Sequence, residues 1–177
     1  MQKPIPRHSA RQSGFTLIEL MIATVVLMIG IVAVAQLVPL AVSRDAANRQ
    51  DSTALVIAQR ELNQMAAQPL NFSTFTDDLN NLCSLGDPAS PGQLVGNAVK
   101  VDSNRPQIDF TVAPQAGYSF NYVDPNDPFN LTYDVRWAVV TIANSGGAVT
   151  SKRFILSVRR LGGQPVFPVT LDTLVEK

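Results

Sequence analysis

The chain has 177 residues, of which 16% are charged and 46% are apolar, and its formal net charge is zero. This length suits one modest globular domain plus a further segment. Lys3, Arg7 and Arg11 lie close together without acidic neighbours, and their removal leaves a mildly acidic remainder. A nucleic-acid-binding surface needs a clustered basic face, which this sequence lacks, so we do not expect nucleic acid among its partners.

An abrupt change in character follows residues 1–14, which are basic and polar. The run from Phe15 to Val42 is apolar and contains one formal charge, Glu19. A helix needs about 20 apolar residues to cross the hydrocarbon core of a bilayer. Basic residues on the N-terminal flank predict that this flank stays in the cytoplasm. We therefore expect a single transmembrane helix over 15–42, with the rest of the chain exported.

Two ordinary targeting segments are alternatives for this run. A secretory signal has a shorter apolar stretch that ends in small residues at a cleavage site, and Val38–Ala41 is not such an end. An uncut signal anchor that carries a periplasmic binding domain fits the length and orientation. It does not account for the carboxylate of Glu19 inside the apolar segment.

The string Gly14-Phe15-Thr16-Leu17-Ile18-Glu19 resembles the prepilin cleavage site of type IV pilins and type II secretion pseudopilins. The resemblance implies that a prepilin peptidase cuts between Gly14 and Phe15 on the cytoplasmic side of the inner membrane and then N-methylates Phe15. It implies a leader over 1–14, a helix that packs against other pilins or pseudopilins, and an inner-membrane assembly platform. The head is then periplasmic, before the subunit enters a pilus or pseudopilus.

Glu19 is expected to guide assembly. A charged residue in a membrane helix costs at least about 2.5 kcal/mol, so such residues are usually paired. Cleavage would give Phe15 an amino group about one helical turn from Glu19. The carboxylate then has two candidate partners, the amine of its own chain or that of a neighbouring subunit. A carboxylate that reaches back to the membrane edge is the alternative.

Gly14, Gly30 and Pro39 are positions where the backbone matters. A glycine at 14 lets an extended chain lie close to the catalytic groups of a peptidase, so a bulky replacement should block processing. Pro39 removes a helix hydrogen bond and clashes with the carbonyl of Ala35, which predicts a kink. Gly30 lowers helix propensity by about 1 kcal/mol. The resemblance adds local unwinding here in filaments, and an ordinary kink is the alternative.

Two further stretches bear on the kind of subunit. Ile22–Leu37 resembles minor pilins of the PilV type, and Ala58–Leu62 resembles both PilV-type and GspI-type sequences. The resemblance therefore implies a minor type IV pilin, with a type II secretion pseudopilin as the alternative. The chain lacks the pair of C-terminal cysteines found in many pilins.

The helical pattern continues over 43–67 as an amphipathic segment. Leu55, Ala58, Leu62 and Met65 recur at helical spacing and are predicted to face a domain. The charged residues, among them Arg60 and Glu61, are predicted to face water.

The remainder of the chain predicts a loop followed by a sheet. Residues 68–106 contain proline-rich turns that break any regular pattern, and we expect a variable loop there. Over 107–177, alternating strands are predicted around Ile108–Val112 and Tyr118–Tyr122, a hairpin from Leu131–Ala143 and Arg153–Leu161, and an edge strand near Val166–Val175, since Pro168 argues against a central place. The fold class is α+β: a long N-terminal helix packed on a small antiparallel β-sheet, as in pilins.

Catalytic and metal chemistry are not expected. Without residues 1–14, which contain His8, the chain has no histidine and one cysteine, Cys83. That excludes Ser/His/Asp and Cys/His catalysis and the usual zinc sites, so we expect no enzyme, cofactor or metal. Cys83 is predicted to be a partly buried apolar residue, with an intermolecular bridge as the alternative. The turn Asp124–Asp127 is predicted to be an ordinary turn, because it lacks EF-hand spacing and the terminal glutamate. Calcium binding is the alternative, since several oxygen ligands lie close in its sequence.

Overall fold

The computed structural model describes residues 14–125, 130–162 and 167–177. Within these ranges a single helix, α1 (Leu17–Ala67), is followed by strands β1 (Thr74–Thr76), β2 (Leu82–Ser84), β3 (Leu94–Gly96), β4 (Val99–Asp102), β5 (Arg105–Ile108), β6 (Ser119–Val123), β7 (Thr132–Ala143), β8 (Val149–Leu161) and β9 (Val169–Glu176). The chain forms two compact units, an N-terminal unit that ends at Ala46 and a globular unit from Ala47 to Lys177. An α+β architecture with a long N-terminal helix and an antiparallel sheet is confirmed.

The described part of the N-terminal unit consists mainly of the apolar part of α1. Two of its hydroxyl groups find partners in the helix itself: that of Thr24 donates to the carbonyl of Met21 at 2.8 Å, and that of Ser43 donates to the carbonyl of Leu40 at 2.9 Å. Such bonds satisfy a hydroxyl donor on a helix surface that is otherwise apolar. The helix passes through Pro39 without an interruption of its assigned bounds, and the kink at Pro39 stays a prediction.

The main sheet of the globular unit is antiparallel and centred on β7 and β8. These two strands pair from Thr132↔Leu161 to Ala143↔Val149, which confirms the predicted hairpin. β9 pairs with the far side of β8, at the end of the strand order. It begins after Pro168 and forms an edge, as its proline predicts. β3 and β6 pair with successive parts of β7 on the side away from β8.

One face of this sheet packs on α1. Helix residues Ala54, Ile57, Ala58 and Met65 are buried in a single cluster with alternate residues of β7 and β8, including Trp137 and Leu156. Alternation along a strand places every second side chain on the same face, so these strands present a continuous apolar surface to the helix. The predicted amphipathic helix on a sheet is thereby confirmed.

The exact helix face differs from the prediction at two residues. Leu55 is exposed, whereas Glu61 is buried. Ala54, Ala58, Glu61 and Met65 follow each other at spacings of three and four, so they share one face. Hydropathy alone predicted that the carboxylate of Glu61 faces water. In the folded unit it is buried and accepts hydrogen bonds from Arg60.

The other face of the sheet is covered by a hairpin that the sequence did not indicate. β4 and β5 pair with each other, and Ile108 packs with Ala138 and Ile155 in a second cluster. The expectation of a variable loop over 68–106 is therefore corrected, because β1 to β4 and part of β5 lie there. A strand over Ile108–Val112 was also wrong, since β5 ends at Ile108.

Candidate functional site

The N-terminal end of α1 has the geometry of a capped helix. Gly14, Phe15 and Thr16 precede its first residue, Leu17. The amide of Glu19 donates to Oγ1 of Thr16 at 3.3 Å, and Oε2 of Glu19 accepts from the amide and hydroxyl of Thr16 at 3.4 Å each. This reciprocal pattern is a capping box, in which a threonine cap and a glutamate three residues later satisfy free amides of the first turn. The Thr-x-x-Glu spacing is the sequence signature of a capping box, and sequence reasoning missed this signal.

The peptide bond between Gly14 and Phe15 lies in an open stretch just before this cap. Phe15 is 86% exposed. A Cβ atom built on Gly14 would have no other atom within 4 Å, and Gly14 is not among the residues with a positive φ. The described part of this chain therefore places no steric or conformational demand for glycine at position 14.

The helix that follows is long and apolar enough to cross a membrane. The span Leu17–Asp45 has 29 residues and a mean hydropathy of 2.7, and its apolar stretch is not buried within the chain. At about 1.5 Å per residue it is roughly 43 Å long, which exceeds a hydrocarbon core of about 30 Å. So much exposed apolar surface is typical of a segment that contacts lipid or another chain.

The comparison with family models falls on this same segment. Residues 9–35 match the model of the prokaryotic N-terminal methylation motif. The match includes the Gly14–Phe15 bond, Glu19 and the first part of the apolar helix, and it covers a small part of the chain. No curated protein and no solved structure shows significant similarity to the chain.

The other predicted residues are distributed as follows. Lys3, Arg7, His8 and Arg11 lie outside the described residues, as do Asn126 and Asp127 of the turn considered for calcium. Cys83 is buried in the core of the globular unit. Burial, and then the charges of Asp77 and Glu61, raise the pKa of Cys83 to about 12. A thiol held in this state is a poor nucleophile at neutral pH, which favours its predicted role as a core residue.

A group of charged side chains that sequence reasoning did not bring together lies in the globular unit. One carboxylate oxygen each from Glu61, Asp77 and Asp78 lies within 4.8 Å of the others. Nη2 of Arg60 donates to Oε1 of Glu61 at 2.8 Å and its Nε lies 4.0 Å from Oδ1 of Asp78. The guanidinium carbon of Arg60 lies 4.9 Å from the ring centre of Tyr122. Burial raises the pKa of Glu61; the hydrogen bond and charge of Arg60 oppose this effect, and the two aspartates add to it.

No signal in the sequence could have found this group. Glu61 is in α1, while Asp77 and Asp78 follow β1. They meet because the β1–β2 hairpin returns to the helix, where Nε2 of Gln64 donates to Oδ1 of Asp78 at 2.8 Å. Contacts of this kind depend on tertiary structure and leave no periodicity in the chain.

Proposed function

We propose that the chain is the precursor of a type IV pilin-like or pseudopilin subunit, a structural component of a filament rather than an enzyme. The observation that carries the proposal is the match over 9–35, at a glycine–phenylalanine bond that lies exposed just before a long apolar helix. A prepilin peptidase cuts this bond and methylates the new amine of Phe15. The basic residues of the leader keep the N-terminus of the uncut precursor in the cytoplasm.

The absence of any structural need for glycine at position 14 supports a role for this residue in recognition by the peptidase. The chain itself leaves room for a side chain at Gly14. A peptidase that grips an extended backbone has little room there, since each added Cβ keeps the backbone away from the catalytic groups. Gly14 is thus a recognition residue for the peptidase and Phe15 is the residue that it modifies.

Glu19 changes partners as the precursor matures. Its contacts with Thr16 are 3.4 Å long, at the weak end of the hydrogen-bond range. The amine created at Phe15 carries a positive charge, so it adds a direct Coulomb attraction to the carboxylate that the uncharged amide and hydroxyl of Thr16 lack. When that amine belongs to the neighbouring subunit, the pair sets the register of the incoming helix and neutralises two charges in the membrane.

Within this class we place a minor pilin of the PilV type first, because Ile22–Leu37 and Ala58–Leu62 resemble that group. A GspI-like pseudopilin of type II secretion is the second candidate, since Ala58–Leu62 resembles it equally. In either case the subunit is single-pass in the inner membrane, with a periplasmic head, and it reaches the filament through the inner-membrane assembly platform. Its contacts are with the peptidase, lipid and the helices of other subunits.

The first test is the intact mass and N-terminal sequence of the membrane-extracted protein. We expect a chain that begins at N-methylated Phe15. In Gly14→Val the chain should keep its leader, whereas the matched change Gly30→Val should leave processing intact, because a Cβ atom added at Gly30 would also meet no other atom within 4 Å. A chain that still begins at Met1 in cells with an active prepilin peptidase would contradict the filament function and leave a signal-anchored binding domain.

The second test separates processing from assembly. Glu19→Gln should be cut and methylated normally but should be lost from sheared filaments, because the neutral amide cannot form an ion pair with the amine of Phe15. Asp51→Asn removes a carboxylate of the same helix beyond the apolar run and should assemble like the parent chain. Normal incorporation of Glu19→Gln would rule out the assembly role.

A strain without the chain decides between the two candidate subunits. Loss of pili would indicate a minor pilin, whereas loss of secreted substrates would indicate a type II secretion pseudopilin.

A further inference from the structure

Three carboxylates from two distant parts of the chain meet in the globular unit. Glu61 lies in α1, and Asp77 and Asp78 begin the turn between β1 and β2. One oxygen of each lies within 4.8 Å of the other two. We propose that Glu61, Asp77 and Asp78 bind a calcium ion. The proposal concerns the globular unit alone and does not depend on the function proposed for the N-terminal segment.

A buried oxygen without a partner points to a ligand at this place. The side chain of Glu61 has no exposed surface. Its Oε1 accepts two hydrogen bonds from Arg60, at 3.1 and 2.8 Å. In the part of the chain that the structure describes, no hydrogen-bond donor reaches Oε2. A buried carboxylate oxygen without a partner is costly, and a cation bound beside the two aspartates would supply the missing interaction.

The charges in the group also favour a divalent cation. Arg60 lies against both Glu61 and Asp78, at 2.8 and 4.0 Å. One guanidinium facing three carboxyl groups balances at most one negative charge. Like charges this close repel strongly in a partly buried site, so an ion with two positive charges relieves a repulsion that Arg60 relieves only in part.

The donor set and its spacing fit calcium. All three ligands are carboxylate oxygens, which hard cations prefer. Ligands at about 2.3–2.6 Å from one calcium ion lie at most about 5 Å apart, and the three carboxylate oxygens lie within 4.8 Å of one another. The amides of Leu79 and Asn81 donate to Oδ1 of Asp77 at 2.9 and 2.6 Å, and the side-chain amide of Asn81 donates to its Oδ2 at 2.8 Å. The carboxylate of Asp77 is therefore held in a fixed position. Calcium accepts irregular geometry and completes its shell with water.

The exposed side chain of Asp78 gives an ion access to the group from solvent. Its side chain is 56% exposed, whereas Glu61 and Asp77 are buried. An entry path from solvent is a requirement for any metal site in a folded unit. Because this group supplies three carboxylates, fewer than a tight calcium site uses, we expect a dissociation constant of about 10⁻⁴–10⁻³ M, in the range of extracellular calcium modules.

The test uses the full chain in detergent micelles, freed of metal with a chelator. Calcium chloride is titrated while the unfolding temperature is followed by the fluorescence of Trp137, the single tryptophan, which lies in the core of the globular unit. Isothermal titration gives the affinity directly. We expect a saturable rise in the unfolding temperature with calcium and a smaller one with magnesium, which requires a more regular shell.

Matched variants locate the ion. Asp78→Asn keeps the shape of an exposed side chain but removes a ligand charge, and it should weaken calcium binding at least about tenfold because ligand charge sets affinity. Asp127→Asn tests the turn considered from the sequence and should bind like the parent. Trp137 fluorescence in the absence of calcium checks that each variant is folded.

Three results would overturn the proposal. The first is no change in unfolding temperature and no heat of binding up to about 10 mM calcium, roughly tenfold above the weakest affinity expected. The second is an equal shift with sodium chloride of the same ionic strength, which would mean screening of the carboxylates alone. The third is binding that survives in Asp78→Asn but is lost in Asp127→Asn.

Discussion

The two parts of α1 carry similar apolar side chains but satisfy them in different ways. In the N-terminal unit, large apolar residues such as Leu27 remain more than half exposed. In the globular unit, helix residues such as Ala58 and Met65 are buried against the sheet. Other parts of the chain cover the apolar surface of the helix in the globular unit, whereas the apolar surface in the N-terminal unit stays exposed. The exposed part is typical of a segment that contacts lipid or other chains, while the buried part stabilises the fold itself.

The carboxylates of the helix show the same division. Glu19 is exposed and contacts Thr16 at the start of the helix. Glu61 is fully buried and bound by Arg60. Position in a hydropathy profile does not show which carboxylate the fold will enclose, because that depends on what packs over it.

The largest expected effect is in the buried ion pair of the globular unit. Asp134 and Arg136 are both buried, with Oδ2 of Asp134 2.8 Å from Nη2 of Arg136 and 3.4 Å from Nη2 of Arg159. Asp134→Ala should lower the free energy of unfolding by about 3–5 kcal/mol, because it leaves a buried guanidinium without its partner. Chemical unfolding followed by Trp137 fluorescence measures the change. Glu19→Ala, which removes an exposed carboxylate, should leave the same transition unchanged. Equal losses of unfolding free energy in the two variants would contradict the contrast between buried and exposed carboxylates.

A pair of leucines tests the apolar surfaces directly. Leu156 has no exposed surface, whereas Leu27 is 62% exposed. Leu156→Ala should lower the free energy of unfolding of the globular unit by about 2–5 kcal/mol, since it removes buried contacts and leaves a cavity. Leu27→Ala should change it by less than about 0.5 kcal/mol, as exposed substitutions do. A large effect of Leu27→Ala on this transition would show that the N-terminal unit stabilises the globular unit.

Lys152 gives the globular unit a predicted dependence on pH. Its side chain is buried and Nζ donates to the carbonyl of Phe72 at 2.6 Å. Burial lowers the pKa of Lys152 from 10.5 to about 8. Between about pH 8 and 10.5 the unfolded chain binds the proton that the folded chain has released, so this residue makes stability rise with pH in that window.

The check compares Lys152→Met with the parent chain. The difference in free energy of unfolding between them should favour the variant at about pH 7 and should shrink as the pH rises through about 8 to 10.5, because the parent no longer carries a buried charge. Unfolding midpoints below and within this window measure it. A difference that does not vary with pH would mean that Lys152 keeps its charge in an environment close to water.

The smallest effect is expected at the helix cap. Thr16→Ala removes the hydroxyl that accepts from the amide of Glu19, and the loss of such a cap costs about 1 kcal/mol of helix stability. Amide hydrogen exchange at Leu17–Leu20 should become faster, while the transition of the globular unit stays the same. Thr24→Ala is the control, since that hydroxyl bonds within the helix. Equal exchange rates in Thr16→Ala and the parent would show that the capping box does not hold the first turn.

Much of this protein was determined by local sequence pattern. The apolar run after a basic segment sets a helix long enough for a membrane, because length and composition alone decide this property. The β7–β8 hairpin and the edge strand β9 followed from alternation and from Pro168, since the backbone of a strand imposes both rules locally. The motif over 9–35 was equally visible, because it consists of consecutive residues.

Only the tertiary structure decided the rest. The hairpin β4–β5, the burial of Glu61, and its meeting with Asp77 and Asp78 all depend on which distant segments pack together. A charge or a proline-rich turn looks the same in sequence whether it faces water or a neighbouring element. Local pattern therefore determined the N-terminal unit, whose contacts lie within one helix, while the globular unit required the contacts between strands, turns and helix to become defined.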